Sequence, residues 1–173
     1  MLLNINNKIN ITLCGMMGSG KSAIGKILAN KLNYNFIDVD KIIENKAKKT
    51  IKKIFEEDGE VYFRDLEEKI TIETLKNKET IVSLGGGAII NRKIRNSIKK
   101  NSYNIYLNVD INILIKRLQF SKTRPLIYNK DLKTELINLI SKRKKFYHKA
   151  DLIIQNEENI IGTTEHIIKK IVN

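Results

Sequence analysis

Residues 8–14 are an apolar, β-prone run that stops at a glycine-rich stretch over 15–20, beyond which Ile24, Ile27, Leu28 and Leu32 recur at helical spacing. The pattern predicts strand, glycine turn, helix. A second short strand is expected over 35–39, then amphipathic helical stretches over about 40–48 and 50–58 and a longer one over about 60–76. Residues 80–84 are a third apolar run that ends in Gly85, Gly86 and Gly87, and Asn91 opens a helical stretch toward residue 100. A fourth strand is expected over 103–109 and a helix over 111–120. The stretch 121–130 carries the chain's one proline and reads as a loop. Helical spacing returns over 132–150, and a short strand over 152–154 precedes a terminal helix ending near 172. Strands alternating with helical stretches build βαβ units, so an α/β fold with a parallel sheet between helical layers is expected. In such a sheet, ligands sit beyond the carboxyl ends of the strands. No repeat, low-complexity tract or Pro/Gly-rich linker divides residues 1–173, which are expected to form one domain.

Composition narrows the function classes. At 173 residues, 42% hydrophobic and 29% charged, the chain has room for a real core and lies far from disordered compositions. No run approaches the ~18 apolar residues of a membrane span. Asn4, Asn6, Asn7, Lys8 and Asn10 interrupt the start of the chain, leaving no signal-peptide block. The single cysteine, Cys14, excludes a disulfide scaffold or cysteine metal cluster and fits a reducing compartment. A soluble cytoplasmic monomer is the expectation.

The net charge of +13 raises the possibility of phosphate-backbone binding. However, the basic residues are 26 Lys and 6 Arg, and Lys, Ile and Asn together fill 77 of 173 positions, a bias that AT-rich coding alone would produce. Lys46, Lys48, Lys49, Lys52 and Lys53 alternate with acidic or apolar residues as on a solvated helix face, so no nucleic-acid or membrane partner is expected. Against so much lysine, the few arginines carry more information.

The clearest motif is Gly15-Met16-Met17-Gly18-Ser19-Gly20-Lys21-Ser22, which satisfies G-x-x-x-x-G-K-[ST] between a predicted strand and a predicted helix. The glycines let backbone N–H groups wrap a phosphate and the helix N-terminus adds its positive end. Lys21 reaches the outer phosphates, and Ser22 supplies an oxygen to Mg²⁺. ATP or GTP with Mg²⁺ is the ligand these residues imply. Asp38-Val39-Asp40 closes the second strand, where alternation leans both carboxylates to one side. One near the metal and one near an acceptor hydroxyl would suit phosphoryl transfer to an alcohol, although Asp40 would equally cap the following helix. Arg64 and Glu67 are an i, i+3 pair that also reads as a surface ion pair. The run Gly85-Gly86-Gly87 is costly in entropy unless something approaches its backbone closely, which points to a ligand contact over a plain turn. Arg124-Pro125-Leu126 lies in the proline loop, and Arg143 precedes Tyr147 by four residues. Guanidinium groups at such places suit planar recognition of carboxylate or phosphate.

In order and at suitable spacing, these pieces, together with 54–55 and 59–60 ahead of Phe63-Arg64-x-x-Glu67, resemble the shikimate kinase family of the nucleoside-monophosphate-kinase-like P-loop enzymes over nearly the whole chain. The resemblance implies a three-layer sandwich with a five-stranded parallel sheet in order 2-3-1-4-5. The activity it implies is transfer of the ATP γ-phosphate to the 3-hydroxyl of shikimate, on the route to chorismate and the aromatic amino acids. By the same resemblance Gly18, Ser19, Gly20, Lys21, Ser22 and Ala23 would hold the ATP phosphates, with Ser22 and Asp38 serving Mg²⁺. Asp40 would hold the shikimate hydroxyls and act as, or help, the base. Arg64 and Arg143 would clamp the carboxylate, and Gly86 would meet the substrate through its backbone. Arg124 would be the lid arginine reaching the phosphates, within a lid over about 120–131, and Arg117 would pack on adenine. The mobile substrate-binding region would be about 40–67. Residues 155–159 match no adenine-contact pattern of the family. A gluconate-type or nucleoside-monophosphate kinase would share the phosphate loop but need other acceptor-site residues than Arg64, Gly86 and Arg143. A basic nucleic-acid-binding ATPase would call for a longer chain and interleaved aromatics, whereas aromatics here are 6% and Trp is absent.

Overall fold

The computed structural model describes residues 5, 8–119, 131–156 and 159–172. Five strands, β1 (Asn10–Cys14), β2 (Asn35–Asp38), β3 (Thr80–Ser83), β4 (Ser102–Asn108) and β5 (Leu152–Gln155), form one sheet in the order β2-β3-β1-β4-β5. Every pairing is parallel, with Ile11 beside Ile81 and Tyr103. The helices are α1 (Lys21–Leu32), α2 (Val39–Ala47), α3 (Ile51–Lys53), α4 (Gly59–Thr74), α5 (Arg92–Asn101), α6 (Ile111–Leu118), α7 (Leu132–Tyr147) and α8 (Ile160–Ile171). This is the expected α/β sandwich and strand order.

Side-chain alternation splits the core into two layers. Ile11 and Leu13 of β1, Ile81 of β3, and Ile105 and Leu107 of β4 pack on Ile24 and Leu28 of α1 and Ile167 and Ile171 of α8. Cys14, Val82, Leu84 and Tyr106 face the other way, against Val39, Ile43, Phe63, Ile94, Leu136 and Tyr147. Gly25 shows how closely α1 lies on the sheet: a Cβ there would fall 2.5 Å from the Phe36 ring. Glycine costs a helix about 1 kcal/mol relative to alanine, so close approach decides that position. The asparagine-rich composition finds structural use at helix ends. Asn33 closes α1 in the left-handed conformation, and Asn91 and Asn159 accept from first-turn N–H groups of α5 and α8.

Two local expectations need correction. The helix expected over 50–58 is the single turn α3 followed by a π-helical turn, Ile54–Asp58, which ends at Gly59 with φ +84°. That turn places Phe55 against Phe63, ring centroids 4.8 Å apart, and Lys49 ties it down through Glu57 and Asp58. Asp40 is neither a strand residue nor a cap. The strand ends at Asp38, whose own carboxylate accepts from Lys41 N at 3.4 Å as the cap of α2, and Asp40 lies in the first helical turn.

β1 and β3 are neighbours whose outgoing connections run to opposite sides of the sheet, β1 to β2 and β3 to β4, so a crevice opens at their carboxyl ends. The loops after β1, β2 and β3 meet there.

Candidate active site

The loop after β1 carries Gly15 (φ +146°), Gly18 (+77°) and Gly20 (+87°), conformations that favour glycine. Gly20 caps α1 without any side chain accepting from the first-turn N–H groups, which leaves the helix's positive end facing the crevice. Gly18, Gly20, Lys21, Ser22 and Ala23 line this cavity together with Asp38 and Asp40. Ser19, fully buried, stands behind it: its N–H donates to Met16 O, and Asn156 Nδ2 donates to Ser19 O at 2.7 Å. Lys21 is buried, with Nζ donating to Gly15 O at 3.0 Å and Met16 O at 2.9 Å, so the lysine holds the loop's shape as well as its charge. Ser22 Oγ donates to Asp38 Oδ2 at 2.5 Å. Hydroxyl and carboxylate thus form one hard-oxygen pair at the mouth of the phosphate cradle.

Next to it lies a second cavity. Asp40, Met17 and Gly86 line both, so the two form one cleft. Its walls bring together Arg64 from α4, Arg143 from α7 and Gly85 to Gly87, against an apolar side of Ile51, Phe55 and Phe63. Arg143 is 2% exposed, its Nε has no hydrogen-bond partner among the described residues, and its Nη1 lies 3.7 Å from the Met16 thioether, with the Tyr147 hydroxyl also beside the guanidinium. A buried guanidinium costs several kcal/mol unless paired, so this side chain is set for an anion. Arg64 donates to Glu67 at 2.7 Å and to Glu60 at 3.1 Å. Burial opposes its charge, but the two carboxylates outweigh that and hold its pKa above the usual value.

The Arg64–Glu67 pair is therefore not a surface pair, because Glu67 is 1% exposed. Burial pushes the Glu67 carboxyl up, Arg64 partly offsets this, and Asp40 adds to the rise. Gly85 explains how the carboxylates fit: a side chain there would strike Glu67 Oε1 and Asp40 Oδ1. Gly87 lies equally close to the Arg64 guanidinium. Gly85 and Gly87 are needed for the close approach of these side chains, whereas a Cβ at Gly86 would meet Arg143 and Met17 at an ordinary 3.4 Å.

Of the remaining expectations, Arg117 is exposed and donates to Gly18 O at 3.0 Å, at the rim of the phosphate loop. Arg124 and the lid up to residue 130 lie outside the described residues; Asp131 caps α7 through Thr134 N. Sequence reasoning missed Asn156. It lies in the stretch that matched no pattern, is fully buried, and is itself held by Thr163 Oγ1 at 2.8 Å and by its own N–H on Asn108 O. In a chain with 20 asparagines its identity alone carries no signal.

Comparison with known proteins agrees with this geometry. A family model described as "Shikimate kinase" matches residues 17–173. A shikimate kinase of Sulfurihydrogenibium sp. (strain YO3AOP1) is 43% identical over 163 residues, 94% of this chain and 95% of that protein. The solved shikimate kinase from Acinetobacter baumannii in complex with shikimate superposes with a TM-score of 0.91 at 31% identity, over 95% of this chain and 93% of that one. A gluconokinase from Sinorhizobium meliloti reaches a TM-score of 0.52 at 14% identity, over 93% of this chain and 94% of that one, a likeness of fold alone. With the family model spanning nearly its whole length and a relative of this identity, the chain belongs to the shikimate kinase family, a family of ATP-dependent phosphotransferases.

Proposed function

We propose that this chain transfers the γ-phosphate of ATP to the 3-hydroxyl of shikimate, giving shikimate 3-phosphate and ADP, with the residue roles that follow. The observation that carries the reading is Arg143, a buried guanidinium with an unpaired Nε, sharing a cavity with Arg64 and with the Asp40 carboxylate that also faces the phosphate cradle. The arginines take the acceptor's carboxylate, and the apolar wall of Ile51, Phe55 and Phe63 suits a carbocyclic ring. An open-chain polyol such as gluconate would lose hydration of its hydroxyls against that wall. Asp40 holds the acceptor hydroxyl and accepts its proton as the oxygen attacks phosphorus. The first-turn N–H groups of α1 and the loop amides hold the phosphates, with Lys21 exchanging the Gly15 and Met16 carbonyls for phosphate oxygen when nucleotide binds.

Ser22 and Asp38 fit Mg²⁺, which takes one or two protein oxygens and completes its shell with water and substrate phosphates. Among the described residues no group of three or more His, Cys, Asp or Glu side chains offers an all-protein metal cage. When bound, the ion neutralises charge on the phosphates. Arg117 reaches the nucleotide from the loop rim, Arg124 reaches the phosphates from a lid over about 120–131, and the region 40–67 moves on acceptor binding. The chain acts as a cytoplasmic monomer, and the +13 charge recruits no nucleic acid. Several lysines spend their charge on carboxylates, as Lys41 does with Glu44, Lys49 with Asp58 and Lys93 with Glu68.

A coupled assay of ADP release with shikimate, gluconate or CMP as separate acceptors tests the reading. Release is expected with shikimate alone, and equal release with and without it would revive the ATPase alternative.

A further inference from the structure

Tyr147 belongs to the Arg143-x-x-x-Tyr147 pattern, yet no step above uses it. It is 1% exposed, its ring stacks on Tyr106 at 4.8 Å, and its hydroxyl donates to Gly86 O at 2.6 Å. Burial raises the phenol pKa strongly, so the group stays a hydrogen-bond donor at working pH. The bond lands on the most deformable backbone of the cleft. Three successive glycines have no side chains to restrict them, and the other backbone bonds that hold them are Ala88 N–H to Gly85 O at 3.1 Å and Ile90 N–H to Gly87 O at 3.0 Å, neither of which engages the Gly86 carbonyl.

The peptide between Gly86 and Gly87 is planar and trans, so holding its carbonyl fixes its N–H as well, antiparallel and pointing away from Tyr147. That N–H belongs to Gly87, which lines the acceptor cavity beside Arg64, and none of the described residues accepts from it. We propose that Tyr147 is a positioning residue for acceptor binding: its hydroxyl anchors the Gly86 carbonyl and so sets the direction in which the Gly86–Gly87 peptide presents its N–H to the acceptor. The proposal rests on the acceptor reading above. Met16 Sδ, 3.7 Å from both the Tyr147 hydroxyl and Arg143 Nη1, places this anchor against the guanidinium that clamps the carboxylate.

The test is Tyr147→Phe, which keeps the stacked ring and removes the one donor. Tyr106→Phe is the control, because it removes a comparable buried-ring hydroxyl bond, to Asn108 Oδ1 at 2.8 Å, from the same stack without touching Gly86. Calorimetric titration of shikimate, steady-state kinetics and melting temperature are measured on wild type and both variants. For Tyr147→Phe the expected result is a shikimate Kd and KM raised about three- to tenfold with the ATP KM unchanged, the loss carried by one neutral hydrogen bond. Tyr106→Phe should match its melting loss and leave the shikimate Kd within about twofold of wild type. Equal shikimate affinity in Tyr147→Phe and wild type overturns the proposal, and so does an equal rise in both variants. Failure of Tyr147→Phe to fold while Tyr106→Phe folds overturns it too, since the hydroxyl would then be structural. Absence of shikimate binding by wild type is a different failure and strikes the acceptor reading itself.

Discussion

In the phosphate loop Lys21, Ser19 and Asn156 satisfy one another and the loop carbonyls within 3.5 Å, whereas in the acceptor cavity Arg143 Nε and Glu67 Oε1 are buried without a hydrogen-bond partner among the described residues. The two cavities abut and share Asp40, yet they hold charge in opposite ways. The phosphate side is a self-supporting shape whose donors must be exchanged for nucleotide. The acceptor side keeps a buried guanidinium donor unmet in the folded protein, its charge partly balanced by Glu67, and a bound carboxylate would complete it. Rigid self-satisfaction suits a ligand recognised by many backbone amides. Stored charge suits a small acid recognised by two side chains.

Substitutions sharpen that contrast. The largest expected effects fall at Asp40 and Lys21. Asp40→Asn keeps size while deleting the charge that orients and deprotonates the hydroxyl, so kcat should fall about 10²- to 10⁴-fold with the ATP KM near wild type. Retention of most activity would reduce Asp40 to a residue of the first turn of α2. Lys21→Met should abolish turnover and, because it strips two loop carbonyls of their donor, also lower the melting temperature by several degrees. An unchanged melting temperature would show that the lysine is not a loop strut.

Next come the arginines. Arg143→Lys keeps charge but loses the planar fork, and the shikimate KM should rise about ten- to a hundredfold at an unchanged ATP KM, the worth of one charge-assisted hydrogen bond. Arg64→Lys should lie at the lower end of that range, because Glu60 and Glu67 already occupy part of its guanidinium. The reverse order in steady-state kinetics would place the clamp on the wrong side of the cavity.

On the phosphate side, Asn156→Ala should raise the ATP KM a few-fold and leave shikimate binding alone, since it frees Ser19 O and Thr163 Oγ1 behind the loop. The smallest effect is pH-linked. Burial raises the Glu67 pKa above its unfolded value, so the folded protein binds more protons there, and this group's contribution to stability falls as pH rises from the usual carboxylate range through the raised value. Glu67→Gln should flatten that slope in melting curves of the ligand-free protein, and an unaltered slope would show that Arg64 keeps Glu67 ionised throughout.

The fold was legible because periodicity separates strands from helices here with few ambiguous runs, and because the glycine loop falls where a strand meets a helix. It was the resemblance to the shikimate kinase family that singled out Arg64, Gly86 and Arg143 together, and the fold brings the three to one cavity. Other features depend on distances that spacing does not encode. Alternation suggested that Asp38 and Asp40 lean together, but the chain turns helical between them, and it is the start of α2 that carries Asp40 into the cleft. The motif assigned Lys21 to the outer phosphates, while the fold turns it back onto Gly15 and Met16. The Arg64–Glu67 pair had the spacing of a surface pair, and only the approach of Gly85 and Gly87 from another loop buries it. Asn156 gave no local signal because its partner, Ser19, is 137 residues away.

The stored charge of the acceptor cavity can be tested without altering the protein, by titrating shikimate and its methyl ester into the nucleotide-free chain in parallel. Neutralising the carboxylate leaves the ring and its hydroxyls in place, so the account expects the acid to bind about ten- to a hundredfold more tightly than the ester. Equal affinities would contradict it, because Arg143 and Arg64 would then not be what holds the acceptor.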